Sequence, residues 1–375
     1  MDIQHSVNDE GVKPSSIGLE RDILEWNLPE AVLSVLLRDH TTGRNLIWAT
    51  DDYAVRGHGF APSDEIQLEL VIDKATPVIR PRVDKAAAEK RKRVEKRAEV
   101  FTPSWICNKQ NNLVDAAWFN WKKGHSSPFN KELEKFNQES EFGWNTTSGR
   151  QRIKFPKGKT WLDYVKATRL EVSCGEAPYL TSRYDTVSGR VIPVHDRIGL
   201  LDRKLRVITE NTSQEDVQSW LFHAKLALQS VYGFDWQGDN VLLARENLLA
   251  SVVEYFNAHF FNEVSSSLEH FAETLPPSFP GLSCLLEFAE IISWNVWQMD
   301  GIRGVVPMSC ERNLSKRAVR QPMFDGTTET ITVQCPGCKK NEVHNHSGDY
   351  CMVMDWSSSS FPRPVKFVDL MGGNE

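Results

Sequence analysis

What most limits how this chain can fold is a series of three apolar stretches, each closing on an acidic residue or a glycine turn. They are Arg169-Leu170-Glu171-Val172-Ser173-Cys174-Gly175, Val231-Tyr232-Gly233-Phe234-Asp235-Trp236 and Trp294-Asn295-Val296-Trp297-Gln298-Met299-Asp300-Gly301. Amphipathic stretches separate them, and apolar strands alternating with helices predict an α/β sheet protein. Ligands of open α/β sheets gather at the carboxyl ends of the strands, which is where these acids fall. The predicted strands are 169–173, 230–234 and 291–298. Val241 to Phe256 is the clearest helix, with Val241, Ala244, Leu248, Leu249, Val252 and Phe256 on one stripe.

Each acid has a ligand chemistry and a plainer alternative. The small residues Ser173, Cys174 and Gly175 allow close approach of backbone to a ligand, and Glu171 can order that loop or meet a ligand cation. Asp235 can accept both hydroxyls of a ribose while Trp236 walls an adenine, or it can cap the helix starting near Asp239. Asp300 suits an adenine amine and equally suits a turn.

Ahead of the strands the chain divides by composition. Residues 1–20 have no periodicity and read as a disordered arm. Residues 21–73 read as a small module, with a helix over Ile23 to Leu37 and a turn with a short strand over Thr41 to Tyr53. Residues 74–99 are a basic linker: Lys74 to Arg97 holds ten Lys or Arg against three acids, inside a chain whose formal net charge is −6. Its prolines hold Ile79 to Arg82 extended, and Lys85 to Arg97 is predicted as a basic helix. Arg80, Arg82, Lys90, Arg91, Lys92 and Arg93 are the candidates for contact with a DNA phosphate backbone, against the alternative of a solvated charged face. From Trp118 to Lys159 the chain reads as a surface excursion, whose Trp118, Trp121 and Trp144 can stack on bases or anchor the loop.

In this order the motifs resemble a family. Val100-Phe101-Thr102-Pro103 is similar to the F-T-P motif of amino-methylating DNA methyltransferases of restriction-modification systems. Glu171 to Ala177 resembles their D-P-A-C-G-S-G motif, and Tyr232 to Leu248 resembles the acidic strand followed by an A-R-x-N-L helix. Met299-Asp300-Gly301 resembles the stretch with the adenine-binding acid. The stretches A-E-V-F-T-P-S-W-I-C-N and W-Q-G-D-N resemble proteins labelled restriction endonuclease subunit M. The resemblance implies a Rossmann-like S-adenosylmethionine-dependent fold over 100–375, acting on the exocyclic amine of adenine in double-stranded DNA, with a restriction or specificity subunit as a possible partner. It sets Phe101, Thr102 and Pro103 against the adenine or the loop. Glu171 and Cys174 to Ala177, with Ser173, surround the methionine moiety, Asp235 and Trp236 the ribose and adenine, and Asp300 the adenine amine.

The chain departs from the pattern in three places. Ala177 stands where the first motif has its second glycine, a long insert with the Lys- and Arg-rich stretch Thr181 to Arg206 lies between Glu171 and Asp235, and no N-P-P-Y or D-P-P-Y occurs. That last loop is what holds the target amine and stacks on the extruded base. Asp355-Trp356, after the apolar run from Cys351, is the nearest substitute; a strand-end aspartate beside a buried tryptophan is the alternative. The missing loop keeps open an inactive cofactor-binding or DNA-recognition subunit.

Cysteine usage adds a separate site. Cys335-Pro336-Gly337-Cys338 is followed by His344, His346 and Cys351, in the pattern of a zinc-ribbon-like hairpin over 335–351. The expected ligands are Cys335, Cys338, His346 and Cys351, with His344 or the distant Cys310 as substitutes and free thiols as the alternative. Seven cysteines without a secretory signal, and no apolar run of bilayer length, predict a cytoplasmic protein without disulfides or a membrane partner. A nuclease is disfavoured because no P-D…E-x-K cluster of acids with lysine is present.

Overall fold

The computed structural model describes residues 28–72, 78–85, 93, 102–121, 127–133, 142–147, 152–261, 268, 271–272, 275, 281–315, 320–322, 328–330, 334–357 and 361–371. The predicted arm, Phe101 and most of the predicted basic helix, with Lys90, Arg91 and Lys92, lie outside the described residues.

Three strands form a parallel sheet in chain order: β1 (Arg169–Val172), β2 (Val231–Asp235) and β3 (Val296–Gln298). Glu171 pairs with Gly233, and Asp235 with Gln298. The pleat of β2 sorts its side chains between two apolar clusters. Val231 joins the main core, whereas Phe234 packs with Trp297, Met299, Cys351, Val353 and Phe367. A side chain at Gly233 would press within 3.3 Å of Cys174 Sγ, so glycine permits the close approach of the loop after β1.

The crossovers are helical. Between β1 and β2 run α1 (Leu200–Asn211) and α2 (Val217–Leu228), and between β2 and β3 run α3 (Gly238–Phe261) and α4 (Gly281–Asn295). The third strand is shorter than predicted. Residues 284–295 carry Cys284, Leu285, Phe288, Ala289, Ile291 and Ile292 buried at helical spacing, and burial of that stripe overrides the strand preference of Ile-Ile-Ser-Trp. Only Val296–Gln298 is extended.

No further described strand joins the sheet. β4 (Met352–Asp355) pairs antiparallel with β5 (Arg363–Lys366), and Tyr232 Oη donates to the Met354 carbonyl across to this pair. The architecture is therefore a mixed α/β fold around a three-stranded parallel sheet, smaller than the Rossmann-like sheet the sequence suggests.

The segment from Leu28 to Ile79 shares the main core with the sheet helices rather than closing a core of its own. Its helix Glu30–Leu37 buries Val32, Leu33, Leu36 and Leu37, each worth about 2 kcal/mol of apolar burial. Arg245 on α3, fully buried, donates to the carbonyls of Leu36, Arg38, Ser293 and Val296, at or just past the carboxyl ends of two helices, where carbonyls lack intrahelical partners.

The insert after β1 is tied inward by its charges. Arg183 and Arg197 both pair with Glu254 of α3, at 2.7 and 2.6 Å, and Arg203 pairs with Asp115 at 2.6 Å. Trp144 is buried and donates to the Asp196 carbonyl, and Trp118 packs edge-on to Phe119, Phe155 and Tyr164. Trp121 stacks on Phe119. These tryptophans anchor the excursion. No described helix is long and apolar enough to cross a membrane.

Candidate functional site: the carboxyl edge of the sheet and a Cys3His cluster

Glu171, Asp235 and Asp300 stand at the carboxyl ends of three adjacent parallel strands. Backbone bonds lace those ends together: the Cys174 amide donates to the Phe234 carbonyl at 2.8 Å and the Met299 amide to the Asp235 carbonyl at 2.9 Å. All three acids are buried.

Each carboxylate orders a loop. Glu171 accepts the amides of Tyr179 and Leu180, at 3.3 and 3.0 Å. Asp235 accepts Gly175 N at 3.0 Å through Oδ2, and through Oδ1 Gln237 N at 3.0 Å and the Asn240 side chain at 3.2 Å. Asp300 Oδ1 accepts the amides of Ile302 and Arg303, and Oδ2 pairs with the Arg303 guanidinium at 3.3 Å. A carboxylate offers about four acceptor sites, so Asp235 and Asp300 each keep unused capacity. Burial, resisted by the amides of Tyr179 and Leu180, lifts Glu171 to about 8. Burial likewise lifts Asp235 to about 6 against its own hydrogen bonds, with the Asp239 charge adding to the rise, and the Asp235 charge adds in turn to the rise at Glu171.

The loop after β1 turns through Ser173, Gly175 and Ala177, whose φ values of +52°, +54° and +61° are left-handed. Ala177 therefore adopts the backbone a glycine takes freely, at a strain of about 1–2 kcal/mol. Glu176 is buried beneath it, accepting the Arg82 amide and the Tyr184 hydroxyl, both at 2.6 Å. Sequence reasoning included Glu176 only within the loop Cys174 to Ala177 around the methionine moiety, with no sign of these two partners.

Thr102 and Pro103 of the predicted F-T-P stretch reach the same edge. Thr102 and Pro103 precede the helix Ser104–Phe119, whose first amide is capped by Asp185 at 2.7 Å. Tyr179, whose amide bonds Glu171, has its side chain against Thr102 and Cys107. Trp236 donates to the Ala49 carbonyl at 2.9 Å, which fixes its ring at the end of β2.

Two predicted roles need revision. Arg82 and Arg93 do not face solvent as phosphate contacts must: Arg82 is buried and Arg93 wholly so, its guanidinium paired with Asp52 at 2.9 Å and Asp239 at 2.5 Å. Lys85 also pairs with Asp239, and these cations hold its carboxyl well below the usual range against the burial that raises it. Arg80 is half-buried. At the amino end of β3, Trp356 donates to Asn295 Oδ1 at 2.8 Å and packs against the main core. Asp355 accepts the Ser357 amide and lies 3.8 Å from Arg363. The alternative of a strand-end aspartate beside a packed tryptophan matches this geometry better than a base-holding pair.

The cysteine cluster forms with one exchange. Cys310, Cys335, Cys338 and His346 bring their ligand atoms within 4.8 Å of one another, a set that could hold a metal ion. Cys351 is not among them, because Tyr350 and Cys351 point to opposite sides of an extended chain. Tyr350 packs with the ligand cysteines, whereas Cys351 donates to the Gln298 carbonyl from the cluster under the sheet.

No protein-family model, curated protein or solved structure matches the chain.

Proposed function

We propose that the chain binds S-adenosylmethionine at the carboxyl edge of its parallel sheet and methylates the exocyclic amine of adenine in double-stranded DNA. The observation that carries this reading is the alignment of Glu171, Asp235 and Asp300 on three neighbouring strand ends, with acceptor capacity left on Asp235 and on Asp300 Oδ2. That capacity fits one ribose hydroxyl at Asp235 and one adenine amine at Asp300. The cofactor supplies an activated sulfonium methyl, so the chain's task is alignment rather than proton abstraction. Glu171, buried beside the loop, answers the positive charge of the methionine end by ionising. Trp236 walls the adenine, and Thr102 with Pro103 closes the edge from the side of Tyr179.

A second reading is favoured by the bonded and packed state of Trp356, which takes the ring predicted at the end of β4 away from stacking on an extruded base. In that reading the chain binds cofactor and a separate subunit supplies the acceptor loop. Incubation with radiolabelled S-adenosylmethionine and mixed-sequence DNA tests both. Label on DNA that disappears with Asp235→Ala supports the enzyme, saturable cofactor binding without transfer supports the subunit, and no cofactor binding at all refutes the site.

A further inference from the structure

We propose that Cys310, Cys335, Cys338 and His346 hold one structural zinc ion, with His346 binding through Nδ1, and that this ion fixes the turn that carries Asp300. The proposal stands on the geometry of the cluster and does not rest on the methyltransferase reading.

His346 Nδ1 lies 3.7 Å from Cys310 Sγ, 3.6 Å from Cys335 Sγ and 3.6 Å from Cys338 Sγ. Zinc bonded to sulfur at about 2.3 Å and to nitrogen at about 2.05 Å, at tetrahedral angles, sets those atoms about 3.6 Å apart. Three near-equal separations at that value are the signature of four ligands about one centre, since a thiol hydrogen-bonded to an imidazole has no reason to be joined by two others. The second ring nitrogen settles which atom is presented. Nε2 donates to the Glu342 carbonyl at 2.6 Å, so the proton sits on Nε2 and the Nδ1 lone pair faces the sulfurs. The Ser347 amide donates to Cys335 Sγ at 3.2 Å, a bond suited to a thiolate. Two glycines make room: a side chain at Gly337 would come within 2.8 Å of His346 Nδ1, and one at Gly348 within 2.8 Å of Cys310 Sγ.

The ligands come from three separate pieces of chain, and those pieces flank the Asp300 turn. Asp300 bonds Val305 backbone to backbone, and Val305 bridges to Tyr350. The Val306 amide donates to the Asp349 carbonyl and the Cys351 amide to the Gly304 carbonyl. Val305 and Tyr350 pack in one cluster with Cys310, Cys335 and Cys338. An ion joining Cys310 to His346 therefore clamps the two arms that hold Asp300 at the end of β3, and its binding free energy becomes folding free energy for this limb.

The test uses the full chain, with elemental analysis and amide hydrogen exchange. One zinc per chain is expected, retained in Cys351→Ser and lost in Cys310→Ser and His346→Ala. Stripping zinc from the unmodified protein is expected to speed exchange at Asp300, Val306 and Cys351 by tenfold or more and leave β2 unchanged. Should the variants fail to fold, cobalt substitution of the unmodified chain gives a second readout, the intense visible absorption of a tetrahedral thiolate site. A full chain that takes up neither zinc nor cobalt, equal zinc loss in Cys351→Ser and Cys310→Ser, or unaltered exchange after chelation overturns the proposal. None of these readouts involves S-adenosylmethionine, so a failure of cofactor binding is a separate result.

Discussion

The Gly175 amide donates to Asp235 Oδ2 at 3.0 Å, so the loop leaving one strand is held by the acid that ends its neighbour. The glycine turn and the ribose-type acid are thus one mechanical unit. A change in either moves both.

Asp235→Ala removes the carboxylate that accepts two backbone amides and the Asn240 side chain, and is expected to lower stability by about 2–3 kcal/mol in urea unfolding. Asp235→Asn keeps an oxygen for these donors and is expected to lose less. If both variants bind S-adenosylmethionine as tightly as the unmodified chain in equilibrium dialysis, Asp235 is not a cofactor ligand.

Stability is expected to fall as pH rises. The folded values of Asp235 and Glu171, about 6 and about 8, lie above the ordinary 3.8 and 4.5, so protonation favours the fold. Their contribution is complete below the ordinary values and is lost as pH rises through about 6 and then about 8. Urea midpoints across this range in Glu171→Gln should lack the upper part of the decline. An identical profile in that variant counts against the assignment.

Cofactor affinity is expected to run the other way. A cationic ligand beside Glu171 favours the ionised carboxylate, so binding should release a proton at neutral pH and tighten by up to about tenfold per pH unit below the Glu171 value. Calorimetry in buffers of different ionisation heat measures the released proton; zero release would show that the charge binds elsewhere.

Glu254→Gln leaves the buried guanidiniums of Arg183 and Arg197 without their shared carboxylate. A loss of about 3–5 kcal/mol is expected from such a broken buried pair. Guanidinium-chloride unfolding checks it, and a loss below 1 kcal/mol would mean that water reaches the pair.

Gly337→Ala puts a methyl within 2.8 Å of His346 Nδ1 and is expected to weaken zinc binding by tenfold or more in a chelator competition.

The three strand-end acids were legible because each closes an apolar run and the pattern repeats. The helix around Val241–Phe256 was legible because its stripe keeps helical spacing over several turns, and it extends to Gly238–Phe261. The boundary of β3 was hidden, since Ile291 and Ile292 satisfy a strand and a buried helix equally well. Arg93 reads as part of a solvated basic face because its partners, Asp52 and Asp239, are brought to it only by the folded chain. The motif C-P-G-C announced two members of a cluster that could hold a metal ion. Its fourth member was ambiguous, because the choice between Cys310 and Cys351 turns on which side of the chain each faces.

Arg245 gives its donors to carbonyls at the end of the Glu30–Leu37 helix and at the end of α4. A hybrid protein joined near residue 73, with a foreign beginning grafted onto this sheet, would inherit a cation deep in its interior with half of its acceptors gone. The segment from Leu28 onward is thus no detachable appendage, because removing it leaves a buried charge in the part that remains.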